Sequence, residues 1–146
     1  GAMSNDDAKA NVIGNKVVVN NVKFELPENI FAIISGAEAR SGSAEENTVE
    51  ILNTTIENAS ILGGFVWNEP GSAISNNVKL NNVRLGGSSE CAGGYVQGVK
   101  GNANDNTVNN INLFRTKTQR RSGSVHSNVS ATNDSNLTAL HNRRFG

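Results

Sequence analysis

Cysteine is almost missing from this 146-residue chain, where Cys91 stands alone. One thiol closes no disulfide within the chain and builds no thiolate metal cluster. Histidine is nearly as scarce, with only His126 and His141, so few groups exist to converge in an acid–base site. Aromatics are few as well: five Phe, one Trp and one Tyr. The formal net charge is zero. The chain as a whole therefore has no electrostatic pull toward nucleic acid or an anionic membrane. No apolar run approaches the roughly 20 residues that span a bilayer as a helix. No signal peptide is evident, and the opening residues 1–4, GAMS, read as the scar of a cleaved tag.

What the chain does have is asparagine, 24 residues of it, and 15 glycines. That composition is unusual for a compact enzyme, although the length suffices for one domain with a real core. Charge is unevenly placed. Residues 1–114 carry 7 basic and 12 acidic side chains, whereas residues 115–146 carry 6 basic ones and only Asp134 as an acid. A basic segment thus follows a mildly acidic body.

The asparagines fall in a repeat. Counting from Asn47, Val49 and Ile51 alternate, Asn53 follows at the sixth place and Ile56 at the ninth. Counting from Asn76, the same places hold Val78, Leu80, Asn82 and Leu85; from Asn15 they hold Val17, Val19, Asn21 and Phe24. From Asn106 only Val108 and Asn112 fit, with Asn110 and Arg115 replacing the apolar residues. The starts are 32, 29 and 30 residues apart. A fixed period of this length marks a repeat architecture. The second half repeats too, "ILGGF" (61–65) against "CAGGY" (91–95), with residues 33–36 as a looser version.

Within each unit the apolar period is two, and Val, Ile and Thr favour strands. Asn and Gly tolerate the left-handed turn conformations that interrupt them. Each unit therefore reads as three short strands separated by an Asn turn and a Gly-rich bend at Gly63–Gly64. Residues 36–46, GAEARSGSAEE, read as an excursion loop with at most one helical turn. So small a unit buries its apolar face only by stacking on its neighbours, strand beside parallel strand. The expected fold is all-β, a parallel β-helix with coils of ~30 residues; an antiparallel β-sandwich is the alternative. Stacking sets Asn21, Asn53, Asn82 and Asn112 above one another, where their amides bond in a ladder. Residues 1–14 form a lead-in, 15–114 the solenoid (15–46, 47–75, 76–105 and the start of a decayed repeat, 106–114), and 115–146 a basic last coil or tail.

The aligned units "NTVEILN" (47–53), "NNVKLNN" (76–82) and "NTVNNIN" (106–112), with their Gly-Gly-aromatic turns, resemble the passenger regions of bacterial autotransporters and other type V secreted surface adhesins. The resemblance covers about residues 15–114. It implies a right-handed parallel β-helix, export to the bacterial cell surface and a rigid scaffold that adheres to a host or neighbouring cell, through a cell-surface protein or glycan. Neither nucleic acid nor membrane insertion of this stretch is implied.

Candidate chemistry is thin. No Ser, Cys or Asp near the histidines makes a recognisable triad, and "GSVHS" (123–127) is no nucleophile elbow. Polysaccharide cleavage or binding on a β-helix is the alternative function, but cleavage needs two carboxylates facing across a sugar. Glu45 and Glu46 are adjacent and point apart on a strand. Glu50 is expected to pair with Lys79 on the outer face, worth under about 1 kcal/mol. "GNANDN" (101–106) offers one carboxylate, Asp105, where hard cations want several, so neither metal nor cofactor is expected. Cys91 reads as a small buried apolar residue. A third reading is a secreted interaction module that binds through "TKTQRR" (116–121) and "HNRRFG" (141–146). Phe65, Trp67 and Tyr95 follow the Gly pairs and fall near one another on adjacent coils. They are the candidate partner-binding residues, since exposed aromatics flanked by polar groups suit carbohydrate or protein contact; stacking inside the solenoid is the alternative.

Overall fold

The structure, a computed structural model, describes residues 1–4, 9–30, 32–68, 70–87, 89–97 and 101–115, with side chains up to Asn109 in the last stretch. Its strands are β1 (Ala2–Ser4), β2 (Ala10–Ile13), β3 (Lys16–Asn20), β4 (Lys23–Glu25), β5 (Ala32–Ala39), β6 (Gly42–Glu45), β7 (Thr48–Glu57), β8 (Ala59–Val66), β9 (Gly71–Ile74), β10 (Asn77–Gly86), β11 (Glu90–Val96), β12 (Asn102–Asn104) and β13 (Thr107–Arg115). They build three sheets, in the orders β1-β5-β8-β11, β13-β10-β7-β3 and β12-β9-β6-β2, with β4 beside β7. Successive coils visit the three sheets in turn, and the pairings are parallel throughout. The chain is a parallel β-helix of about three turns, and parallel pairing rules out the antiparallel sandwich.

One local expectation fails here. Residues 36–46 are not an excursion loop, because β5 and β6 run through them and pair with β8 and β9. Residues 1–14 contribute β1 and β2, which pair with β5 and β6. Short runs of Ala, Ser and Gly carry little strand signal of their own. They become strands here because neighbouring coils take up their backbone groups.

The second sheet stacks like on like. Val17, Val49, Val78 and Val108 occupy one row, and Val19, Ile51 and Leu80 the next. Their inward side chains join Ile56, Leu85, Ile61 and the buried Cys91 in the larger of two core clusters. The smaller cluster is mostly alanine, Ala37, Ala39, Ala44, Ala73 and Ala103, with Val12, Val66 and Val96. Asn21, Asn53 and Asn82 turn the corner within the second sheet at φ values of 55°, 48° and 54°. One left-handed residue shifts the alternation by one place, so Thr54 and Val83 face inward three residues after Ile51 and Leu80.

This corner row bonds along the axis only in part. The Asn82 amide donates to Asn53 Oδ1 at 2.8 Å, but Asn53 donates to Asn20 Oδ1, at 3.4 Å, and not to Asn21. Asn112 lies in the part of β13 beyond Asn109, where side chains are not described.

A second asparagine row is fully internal. Asn47, Asn76 and Asn106 are each 0% exposed, at the corner between the third and second sheets. Asn15 donates its main-chain and amide hydrogens to Asn47 Oδ1 at 3.0 and 3.1 Å. Asn47 does the same to Asn76 Oδ1 at 3.0 and 2.9 Å, and Asn76 to Asn106 Oδ1 at 2.9 and 3.0 Å. The second amide hydrogens of Asn47, Asn76 and Asn106 go to the carbonyls of Val12, Ala44 and Ala73, one coil back.

Opposite this ladder run the glycine pairs, and they are not bends. Gly63 and Gly64 lie inside β8, and Gly93 and Gly94 inside β11. A Cβ on Gly64 would stand 2.6 Å from the Asn76 amide, and one on Gly94 would overlap the Asn106 amide. The glycines are empty space into which the ladder fits. "GNANDN" is accordingly β12, a corner at Asp105 (φ 54°) and the ladder residue Asn106.

On the outer face, Lys79 lies opposite Glu50 in register, yet the Glu50 carboxylate pairs with Lys16 at 2.6 Å. The expected Glu50–Lys79 pair is thereby corrected, since Lys16 reaches diagonally across the β3–β7 edge. His126, His141, "TKTQRR" and "HNRRFG" lie outside the described residues.

Candidate functional site

The outer face of the first sheet is built in rows across β5, β8 and β11. Ile33, Ser60 and Glu90 form one row; Ser35, Leu62 and Ala92 the next; Glu38, Phe65 and Tyr95 the third. Leu62 and Phe65 both face outward although three places apart, because alternation slips at the intervening glycine pair. This slip gathers Leu62, Phe65, Ala92, Ile33 and Tyr95 into a third apolar cluster, outside the solenoid.

The cluster floors a groove of about 460 Å³. One wall is the turn after β4, which contributes Glu28, Asn29 and Ile30. Asn58 pins that turn by donating its amide to the Leu26 carbonyl at 2.6 Å, and the Ile30 N–H closes it on the Pro27 carbonyl at 3.0 Å. Trp67 and Gln97, just beyond β8 and β11, stand at the other end. The volume falls in the range of small-molecule sites, ~300–1,000 Å³.

The three aromatic candidates meet here. Phe65 and Trp67 have ring centroids 4.4 Å apart at 44°, and Phe65 and Tyr95 5.1 Å apart at 69°. These are tilted and edge contacts, the geometries aromatic pairs prefer. Their exposure differs: Phe65 is 4% exposed and Trp67 41%. Phe65 is thus the bed on which the other two rings rest, and Trp67 presents an accessible face.

Polar groups are fixed around the rings. Trp67 Nε1 donates to Glu38 Oε2 at 3.3 Å, and Ser35 Oγ donates to Glu38 Oε1 at 2.7 Å. Glu38 is buried, so this carboxylate holds the indole in place. Burial raises the Tyr95 pKa above its ordinary value, and the Glu90 charge raises it further; the phenol stays protonated at neutral pH. Glu28 and Glu90 line the same groove, together with the amides of Asn29, Asn58 and Gln97, and no described lining residue is Lys or Arg. A groove with aromatic faces, carboxylates and amides can lay a sugar ring on the indole and bond its hydroxyls at the edge.

Sequence reasoning names the three aromatics but misses Glu38, Ile30 and the Glu28–Glu90 pair. Register across the coils brings these together, and nothing local in the sequence signals it. No family model, no curated protein and no solved structure matches the chain.

Proposed function

We propose that this chain is a rigid β-solenoid segment of a bacterial surface adhesin, and that the aromatic groove on its first sheet holds a glycan of a host or neighbouring cell. The observation that carries the reading is Trp67: an accessible indole, bedded on Phe65 and held by Glu38, in a groove free of described cationic side chains. A solenoid repeated through its core gives such a groove a stiff support. The resemblance of residues 15–114 to autotransporter passengers supports the cell-surface setting.

The test is a glycan array probed with the parent chain, Trp67→Ala and Tyr95→Ala. Binding falls at least tenfold in each variant, about 1.4 kcal/mol or more. Replacing Arg120, Arg121, Arg143 and Arg144 by Gln leaves it unchanged. Undiminished binding by both aromatic variants sinks the reading, and loss on the arginine substitutions transfers binding to the basic segment.

A second reading rests on Glu28 and Glu90, two carboxylates lining one groove, as glycoside cleavage requires. It predicts new reducing ends from a bound polysaccharide and their loss in Glu90→Gln. Adhesion predicts binding without turnover.

A further inference from the structure

Two carboxylates line the aromatic groove, and separate parts of the fold hold them there. Glu28 lies in the turn after β4, which Asn58 pins through the Leu26 carbonyl at 2.6 Å and the Ile30 N–H closes on the Pro27 carbonyl at 3.0 Å. Glu90 opens β11 and pairs in register with Ser60 of β8. Both carboxylates are therefore set on hydrogen-bonded backbone. Burial first, and the Glu90 charge after it, raise the Tyr95 pKa. The field of that carboxylate thus reaches a ring on the groove floor.

The rings favour the same sign of ligand charge. An aromatic face is electron-rich and attracts a cation, indole most strongly. Trp67 is 41% exposed and lines the groove with Phe65 and Tyr95. Its ring rests against Phe65, centroids 4.4 Å apart, and Glu38 holds its Nε1. An indole fixed in this way offers a flat platform at little conformational cost. A pyranose laid on it sends its equatorial substituents outward from the ring edge, toward the groove walls. A positive group on that edge meets carboxylates and aromatic faces together, whereas an acidic group meets repulsion.

Resting on the glycan reading above, we infer that the groove selects an amino sugar that carries a free ammonium group. The pyranose lies on Trp67, and the ammonium faces Glu28, Glu90 and the rings. N-acetylation of the sugar removes the charge, and both attractions go with it. Trp67 is then a platform for any sugar, while Glu28 and Glu90 set which sugar is kept.

Trp67 is the one tryptophan of the chain, so its fluorescence reports the groove directly. The whole chain is titrated with the chitosan tetramer, whose amines are free, and with its fully N-acetylated counterpart, the chitin tetramer. The pH is one at which carboxylates are ionised and the sugar amine is protonated. The free-amine tetramer binds about tenfold more tightly, and high salt narrows the gap. Glu28→Gln combined with Glu90→Gln brings its affinity down to that of the N-acetylated tetramer. Trp67→Ala, followed by calorimetry, weakens both. Equal affinities, tighter binding of the acetylated form, or a preference that survives the double substitution overturns the inference and leaves the glycan reading standing. So does failure of both tetramers where another glycan of the array binds. Failure of every glycan on the array overturns the glycan reading itself, and this inference with it.

Discussion

Asn76 spends both amide hydrogens and accepts two at its oxygen, so a fully polar side chain is satisfied inside the core. Removing it strands the Asn47 N–H, the Asn47 amide and the Ala44 carbonyl together. Asn76→Ala is therefore expected to cost on the order of 3–5 kcal/mol, because each buried unpaired group forfeits ~1–3. Asn82→Ala removes one exposed bond at a left-handed corner and should cost only ~1–2 kcal/mol. Urea unfolding of the two variants checks the order; equal losses would remove the distinction between the internal and corner rows. Gly64 belongs to the same unit. Gly64→Ala drives a methyl into the Asn76 amide, 2.6 Å away, for ~1–3 kcal/mol of overpacking. In an Asn76→Ala background the methyl meets space instead. A double-mutant cycle should show positive coupling between the two sites, and strict additivity would deny the contact.

Strands show how far the sequence can be read. The rows Val17–Val49–Val78–Val108 and Val19–Ile51–Leu80 are legible as period-two alternation repeated about every thirty residues, and they stack in that register. The corner asparagines are legible too, since Asn tolerates positive φ. Burial of Asn47, Asn76 and Asn106 is not legible, because Asn in a turn ordinarily faces water and only the neighbouring coil decides otherwise. For the same reason Gly63–Gly64 reads as a bend: the need for glycine comes from Asn76, twelve residues on. The groove was half legible, as three aromatics without their carboxylates. The β3–β7 edge carries the pH test. Glu50 titrates below the ordinary carboxylate value, first through the hydrogen bond from Lys16, then through its charge, with a smaller pull from Lys79. A depressed folded-state pKa stabilises above the unfolded value, and that contribution is lost as pH falls through the folded one. Lys16→Gln should return the Glu50 titration, followed by carboxyl NMR, to the ordinary value; Lys79→Gln should move it far less. The reverse order would restore the register pair as the partner.

In the whole molecule, cohesion runs along the axis and each coil depends on its neighbours. Stability in such a stack is a sum of coil and interface contributions, so opening begins at the ends. Strands β7 and β10 have a described coil on both sides, whereas β3 lies at the edge of the second sheet. Its inward Val17 and Val19 are only partly buried, while Val49, Ile51 and Val78 are 0% exposed. Hydrogen exchange should accordingly be slowest in β7 and β10 and at least tenfold faster in β3. Placement of a lesion matters in the same way. Val17→Ala should speed exchange in β3 and leave β10 near the parent rate. Asn76→Ala breaks the ladder between the central coils and should speed β7 and β10 together. If Val17→Ala accelerates all three strands equally, the chain opens as one unit and nearest-neighbour coupling is the wrong description of it. If Asn76→Ala alone spreads its effect, the asparagine row is what joins the coils into a single cooperative body.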